Sequence, residues 1–113
     1  MKHKRYVQVP GCPVEVTLDL LQGRWKGVVL HQLVSLRCLR FNELHRRLPG
    51  ITPRLLTKQL RELQEAGLIE RISSADGPVR VEYRPTEEGD SLRPIIDALA
   101  SWGEARLRRR QLA

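Results

Sequence analysis

Four polar side chains between positions 54 and 61 have the types and the spacing that suit contacts with nucleic acid. They recur at helical intervals, so one face of a helix would present all of them: Arg54, Thr57, Lys58 and Arg61. Arginine and lysine donate hydrogen bonds to phosphate oxygens and to guanine, and a threonine hydroxyl serves at phosphates or base edges. We expect Arg54 and Thr57 to contact bases, and Lys58 and Arg61 to contact phosphates. The alternative is a helix face that meets only solvent.

The residues on either side predict a helix that presents this face. Thr52 suits the N-cap, where its hydroxyl accepts from a free amide, and Pro53 suits the first helical position. Gly67 fits the left-handed position just past the helix end, which lets Leu68 pack back on Leu63. The core-facing side consists of Leu56, Leu60 and Leu63. We therefore predict a helix that begins at about Pro53, with Thr52 as a further nucleic-acid contact at its start.

Positive charge is concentrated around this segment. Between Arg24 and Arg61 nine basic residues stand against one acid, Glu43, which gives a net charge of +8. From Glu62 to Glu104 the net charge is −6, and the last eight residues add +4. A basic cluster of this kind is typical of a surface that binds a polyanion. Charge alone does not distinguish DNA from RNA or from an acidic lipid surface.

Further donors lie before and after the predicted helix. A shorter helical stripe precedes it, and phosphate contacts are common at the flanks of such a helix. We expect them here from Arg40, Asn42 and Arg46. Arg80, on a later strand, either contacts DNA in the minor groove or at phosphate, or pairs across the strands with an acid such as Glu70.

Two cysteines are the candidates for thiol chemistry. Cys12 stands immediately before Pro13 at a predicted helix start, where the partial positive charge of free amides favours a thiolate. It either reacts with oxidants or electrophiles, or packs as a small residue in an interface. For Cys38 we expect a packing role. Nothing in the sequence supports a disulfide, either between these two cysteines or between subunits.

The remaining periodicities predict a single winged-helix domain. Helical stripes occur at 13–22, 25–36 and 41–48, and alternating strands at 69–73 and 79–84. A final helix follows Thr86, and Pro94 is expected to kink it or to split off its first turn. We predict a mainly α fold, a helix-turn-helix followed by a two-stranded β-wing, over residues 12–110. Residues 1–11 are expected to form a flexible basic arm.

Short motifs over most of the chain carry a resemblance to a known family. They are Cys12-Pro13-Val14-Glu15, Gly23-Arg24-Trp25, Arg40-Phe41-Asn42-Glu43-Leu44, Leu48-Pro49-Gly50-Ile51-Thr52, Leu56-Thr57, Leu60-Arg61-Glu62-Leu63, Gly67-Leu68-Ile69-Glu70-Arg71, Val81-Glu82-Tyr83, Thr86-Glu87-Glu88-Gly89 and Trp102-Gly103. In this order and spacing, the chain resembles the HxlR-type transcriptional regulators, which are dimeric bacterial winged-helix proteins. It departs from them at the end of the wing, where Tyr83-Arg84-Pro85-Thr86 replaces the usual Tyr-Ser-Leu-Thr.

The resemblance implies a homodimer that binds a pseudo-palindromic operator in double-stranded DNA. The first and last helices would form the dimer interface, with Val16, Leu20, Ile95, Ile96, Leu99 and Trp102. We expect a repressor, because that role requires only occupancy of the operator. In several regulators of this type the cysteine matching Cys12 senses electrophiles or oxidants, so a thiol switch is implied there. The sequence does not specify whether the signal is an oxidant or another small molecule.

Other function classes lack the residues they need. His3, His31 and His45 are scattered without a paired nucleophile, and there is no glycine-rich phosphate loop, so we expect neither an enzyme nor a cofactor. Two distant cysteines do not make a metal site. No apolar run approaches the ~20 residues of a membrane span, and the basic start leads into no secretory signal, so we expect a cytoplasmic protein.

Two alternatives to a specific DNA-binding regulator stay open. A winged helix used for protein–protein contact would usually lose the basic cluster on its exposed helix face. An RNA-binding or architectural protein would usually offer aromatic rings for stacking, whereas aromatic residues make up 4% of this chain.

Overall fold

The computed structural model describes residues 12–74 and 80–112. Along the chain the elements are α1 (Pro13–Leu20), α2 (Lys26–Leu36), β1 (Leu39–Arg40), α3 (Phe41–Arg46), α4 (Pro53–Glu65), β2 (Ile69–Ser74), β3 (Arg80–Pro85), α5 (Glu87–Asp90) and α6 (Arg93–Leu112). The predicted arm, residues 1–11, lies outside the described residues, as does the tip of the wing. In the described part of the chain, no helix is both long and apolar enough to cross a membrane.

Both ends of α4 form as the sequence predicts. The Thr52 hydroxyl accepts a hydrogen bond from the Leu55 amide at 3.1 Å, and Pro53 is the first helical residue. At the other end Gly67 has φ +79°, which a residue with a side chain rarely adopts. The amide of Leu68 then donates to the carbonyl of Leu63 at 3.0 Å, the long bond that closes this type of cap.

The strands form one antiparallel sheet in the order β1-β3-β2. The predicted wing hairpin is present, with Glu70 opposite Arg84 and Ser74 opposite Arg80. The sequence analysis missed β1, in which Leu39 pairs with Tyr83. Two residues are too few to show an alternating pattern, and β1 exists because β3 offers it a free edge.

The core lies between α2, α3, α4 and the sheet. Its buried side chains are aliphatic: Val29, Leu30, Leu33, Val34, Leu39, Leu44, Leu48, Ile51, Leu56, Leu60, Leu63, Leu68, Ile69, Leu92 and Ile96. Each of the helical stripes predicted from the sequence contributes to it except α1, which has no buried residue. The core therefore holds the two helices of the helix-turn-helix against α2 and leaves one side of α4 in solvent.

Pro94 splits the last helical segment, one of the two outcomes expected from the sequence. Thr86 caps the short α5 by accepting from the Gly89 amide at 3.1 Å, and α6 begins separately at Arg93. Proline is favourable in the first turn of α6, because its missing N–H has no helical partner there. The helix continues to Leu112, two residues past the predicted end of the domain.

Candidate nucleic-acid interface

The exposed face of α4 is a continuous polar surface. A groove of about 630 Å³ runs along it, lined by Thr52, Arg54, Leu55, Thr57, Lys58 and Arg61. The structure thus brings together all five residues that the sequence analysis placed on this helix. The buried leucines on the opposite side of α4 fix its rotation, so these side chains point away from the core.

Two threonine hydroxyls on this face already have one partner each. Thr57 Oγ1 donates to the carbonyl of Pro53 at 2.9 Å, which commits its proton and leaves its lone pairs to accept from a base amino group. Thr52 Oγ1 instead accepts from the Leu55 amide, so its proton is available for a phosphate oxygen. The two residues are therefore suited to different partners, a base edge for Thr57 and the backbone for Thr52.

The cationic groups on this face have few acidic partners among the described residues, so they can pair with a bound anion. Among the described residues, the ion pairs include neither Arg54 nor Lys58. Arg61 Nε lies 3.9 Å from Glu65 Oε1, and both side chains are well exposed. An exposed pair at that distance contributes little, so a phosphate can displace Glu65 from Arg61.

A second depression lies at the start of α3. Its volume is about 380 Å³. It is lined by Arg40, by Phe41, Asn42, Glu43 and Arg46 of α3, and by Val81 of the wing strand β3. The Arg40 amide donates to Glu43 Oε1 at 2.9 Å, which anchors the beginning of α3. The three flanking residues predicted to contact phosphate therefore share one surface with Val81 of the wing.

Arg80 is exposed at the outer end of β3. The cross-strand pair considered for it with Glu70 does not form, because the strand register places Arg84 opposite Glu70 instead. Arg84 Nε lies 2.5 Å from Glu70 Oε1. The guanidinium of Arg80 has no ion pair within the described part of the chain, so a contact with DNA stays a prediction for it.

His45 positions the turn of the helix-turn-helix, a role that the sequence did not indicate. Its Nε2 lies 3.0 Å from the carbonyl oxygen of Ile51, the residue that precedes the Thr52 cap. The ring also stacks on Phe41, with centroids 6.3 Å apart and planes 4° from parallel. His45 thus ties α3 to the start of α4.

Lys26, counted in the basic third of the sequence, does not belong to the DNA-facing surface. Its Nζ lies 2.9 Å from Glu62 Oε1, and its side chain is 15% exposed. The pair links the first turn of α2 to the second half of α4. The positive surface is therefore narrower than the charge count suggested, and Lys26 serves to orient α4.

The residues predicted for a dimer interface fall into two groups. Ile96 is buried in its own subunit, and Val16 and Leu20 are half-buried. On α6 the exposed apolar side chains are Ile95, Leu99 and Trp102. On α1 they are Val14 and Leu18, each 61% exposed, rather than the predicted pair. The two helices thus expose apolar surface, but α1 does so with the stripe next to the expected one.

Both cysteines are exposed and unbridged. Cys12 is the N-cap residue of α1, as predicted. The packing role expected for Cys38 is wrong: its thiol lies at the surface and donates to Glu82 Oε2 at 3.2 Å. Displacement of water by neighbouring protein atoms, together with this bond to Glu82, raises the pKa of the Cys38 thiol above its ordinary value. Although the residue as a whole is exposed, its sulfur is thus partly shielded.

A helix-turn-helix with a basic exposed second helix, followed by a β-wing, defines a DNA-binding winged-helix protein. The model of the HxlR-like helix-turn-helix family matches residues 20–111, and the chain belongs to that family. It is 48% identical over 94 residues to the HTH-type transcriptional regulator YdeP of Bacillus subtilis (strain 168), covering 83% of this chain and 73% of YdeP. The protein is therefore a transcriptional regulator and not an enzyme, as predicted.

Solved structures with similar folds include a redox regulator and a transcriptional regulator solved in its reduced form. The reduced form of the redox regulator HypR matches with a TM-score of 0.81 and 40% identity, covering 90% of this chain and all of that chain. The reduced form of YodB from B. subtilis matches with a TM-score of 0.73 and 32% identity, covering 83% of this chain and 92% of that chain. YodB has also been solved after treatment with diamide.

Proposed function

We propose that the protein is a repressor that binds a pseudo-palindromic DNA operator as a homodimer. The observation that carries this proposal is the single groove on α4 that collects Thr52, Arg54, Thr57, Lys58 and Arg61. Arg54 and Thr57 supply the base contacts, one as a bidentate donor and the other as an acceptor. The phosphates on either side are held by Lys58 and Arg61 of α4, by Asn42 and Arg46 of α3, and by Arg40 at the N-cap of α3.

The base contacts can be tested on DNA selected from a random duplex library. We expect the selected duplexes to contain inverted half-sites centred about one helical turn apart, and to bind at least about a thousandfold more tightly than scrambled DNA. Arg54→Ala and Thr57→Ala should lower the ratio of affinities for selected and scrambled DNA. Arg108→Ala, near the far end of α6, should leave that ratio unchanged. Equal binding of selected and scrambled duplexes would point instead to a non-specific nucleic-acid-binding protein.

Homodimerisation follows from the apolar surface that α1 and α6 leave in solvent. Leu18 and Leu99 are more than half exposed, and Trp102 is 62% exposed. A single small winged domain reads few base pairs, so a second copy is the usual way to reach operator affinity. Sedimentation of Leu18→Glu and Leu99→Glu should give monomers that bind a single half-site weakly. A wild-type chain that sediments as a monomer would contradict this part of the proposal.

Cys12 is the proposed sensor of oxidants and electrophiles. It is exposed at the start of α1, one of the two helices assigned to the dimer interface. Among the similar structures, HypR is a redox regulator, and YodB has been solved both reduced and after diamide treatment. A quinone would add the Cys12 sulfur to its ring and take up the thiol proton as it becomes a hydroquinone. Diamide would instead take two electrons and two protons from the Cys12 thiols of the two subunits and leave a disulfide between them. Either change alters the dimer contact and releases the operator.

The sensing step is tested by adding diamide or a quinone to preformed protein–operator complexes. The wild-type protein and Cys38→Ser should release the DNA, and Cys12→Ser should retain it. Equal release by the wild-type protein and Cys12→Ser would end the assignment of Cys12.

A further inference from the structure

A cleft between α2 and α6 has features of a binding site that the DNA-facing grooves do not use. It has a volume of about 300 Å³ and shares no lining residue with either groove. That volume is near the lower end for small-molecule sites, which span roughly 300–1,000 Å³. Its walls are largely apolar, with Leu21, Val28, Ile96 and Leu99 on its sides.

Gly27 leaves part of this cleft open. A Cβ built at this position meets no other atom of the described protein within 4 Å. Glycine inside a helix is less favourable than alanine by up to ~1 kcal/mol, and Gly27 lies in the first turn of α2. Nothing described in this subunit requires glycine there by steric contact. The missing side chain has one clear effect, which is to keep the wall of the cleft concave.

The polar groups at the cleft favour an anion. Arg24 and His31 line it, and none of its described lining residues carries a carboxylate. Arg24 is exposed, and within the part of the chain that the structure describes it takes part in no ion pair. A guanidinium offers a carboxylate two parallel hydrogen bonds. Apolar walls beside a guanidinium that has no ion pair in the described part of the chain fit a molecule with a hydrophobic body and one carboxylate.

The two residues after Arg24 connect the cleft to the DNA-binding elements. The Arg24 guanidinium lies 4.7 Å from the centre of the Trp25 ring. Cη2 of Trp25 in turn lies 3.9 Å from the position of a Cβ at Gly50, in the turn before α4. Lys26 forms its 2.9 Å ion pair with Glu62 of α4. A carboxylate that draws Arg24 away from Trp25 would therefore act close to the turn before α4 and close to the ion pair that Lys26 makes with α4.

We propose that the α2–α6 cleft binds a small amphipathic carboxylate, and that occupancy lowers the affinity of the protein for its operator. The carboxylate pairs with Arg24, and the ring or alkyl body lies over Gly27 between Val28 and Leu99. This proposal rests on the DNA-binding function proposed above. It adds a second signal that regulates operator binding, and this signal does not depend on Cys12.

Calorimetric titration of the wild-type protein tests the binding step, with 2-naphthoate and octanoate as probes. Both acids should bind, and 2-naphthamide and octanamide should bind at least about tenfold more weakly, the effect of losing about 1.4 kcal/mol. Arg24→Gln should weaken the acids by a similar factor. Gly27→Leu should abolish their binding, whereas Gly103→Leu should not. Gly103 is the matched control because it too is a helical glycine with open space at its Cβ position.

The coupling step is tested by measuring the operator Kd with and without 2-naphthoate. We expect the acid to weaken binding by about tenfold, within the range of ordinary allosteric coupling. Glu62→Gln should bind the acid normally and show a smaller change in operator affinity. An unchanged operator Kd with saturating 2-naphthoate would overturn the regulatory role.

Other outcomes would overturn the site itself. They are equal binding of acid and amide, normal binding of the acid by Arg24→Gln, or no binding of either acid by the wild-type protein. If the wild-type protein binds neither acid and Gly27→Leu sediments as a monomer, the cleft instead receives a side chain of a second subunit. Failure of the proposed function gives a different result, since the protein would then bind selected and scrambled duplexes equally whatever the calorimetry shows.

Discussion

The imidazole of His45 and the carbonyl of Ile51 join the two helices of the helix-turn-helix across the turn between them, with Nε2 and the oxygen 3.0 Å apart. A carbonyl oxygen can only accept, so Nε2 must carry the proton in this arrangement. Ile51 is buried and immediately precedes the cap of α4. The orientation of the DNA-binding face therefore depends on a residue that does not itself lie on it.

Replacing His45 by alanine should lower both stability and operator affinity. The loss of a partly buried hydrogen bond costs about 0.5–1.5 kcal/mol in the free energy of unfolding, and removal of the ring also leaves Phe41 without its stacked neighbour. Urea denaturation and operator titration provide the two measurements. His45→Gln, whose amide can still donate to Ile51, should recover part of both. An alanine variant with wild-type values in both assays would contradict this role.

The cap at Thr52 gives a second prediction. Thr52→Ala removes the hydroxyl that accepts from the Leu55 amide, which should cost about 1 kcal/mol in the free energy of unfolding. The same change removes a proposed phosphate donor, so operator affinity should fall as well. Thr52→Ser keeps the hydroxyl and should retain most of both quantities. A serine variant as unstable as the alanine variant would show that the methyl group, not the cap, is what matters.

The sequence was sufficient where a local signal and the tertiary structure agree. Thr52, Pro53 and Gly67 specify both ends of α4 by interactions local in the sequence, and all three take the predicted roles. The interactions that the sequence did not predict join residues that lie far apart in the chain. The pair between Lys26 and Glu62 spans two helices and has no local signature.

The apolar helices illustrate the same limit. The segment 13–22, which contains α1, has apolar residues on more than one side, namely Val14, Val16, Leu18, Leu20 and Leu21. The sequence alone does not show which of them pack against the core. The core takes Leu20 and Leu21 as partly buried neighbours and leaves Val14 and Leu18 in solvent. Cys38 was expected to pack because cysteine is usually buried, but it follows Arg37, whose φ of +75° ends α2. The reversal of the chain there places the thiol at the surface.

A salt titration separates phosphate contacts from base contacts. If Lys58 neutralises one phosphate, Lys58→Gln should reduce the slope of log K against log salt by about 1. Arg108→Gln is the control, since Arg108 lies on the last turns of α6 and pairs there with Glu104 at 3.7 Å. Its slope should equal that of the wild-type protein. An unchanged slope for Lys58→Gln would remove Lys58 from the interface.

The hydrogen bonds that Asp90 accepts from two arginines predict that the protein loses stability in acid. Asp90 Oδ1 accepts from Arg37 Nη1 at 2.7 Å and from Arg93 Nη2 at 2.9 Å. The bond from Arg93, with the charge of Arg37 acting in the same direction, holds the pKa of Asp90 below its ordinary 3.8. Because the folded state favours the ionised form, this contribution is complete above the unfolded pKa and disappears as the pH falls through the folded value.

The stability contributed by ionised Asp90 can be measured by comparing the wild-type protein with Asp90→Asn. The wild-type protein should have the higher free energy of unfolding near neutral pH, and the difference should shrink below about pH 4. Both arginines and Asp90 are at the surface, so added salt should reduce the difference as well. A difference that stays constant down to the lowest pH at which the protein remains folded would contradict the link to ionised Asp90.

The hydrogen bond between Cys38 and Glu82 predicts which of the two thiols is slow to react. A raised pKa leaves less thiolate near neutral pH, and the thiolate is the reactive form. Cys38 should therefore react with iodoacetamide more slowly than free glutathione at the same pH. The labelling rate at each cysteine can be followed by mass spectrometry of the digested protein.

Glu82→Gln tests the cause of that slow reaction. The substitution removes the negative charge that repels a thiolate, and it replaces a charged acceptor of the thiol hydrogen bond with a weaker neutral one. Cys38 should therefore react several-fold faster. The acceleration should be partial, because shielding from water is the larger cause of the raised pKa and the substitution leaves it in place. Glu87→Gln, on the exposed first turn of α5, should leave the rate unchanged. If Glu82→Gln had no effect, shielding alone would account for the slow thiol, and Glu82 would have no part in keeping Cys38 from competing with Cys12 for the oxidant.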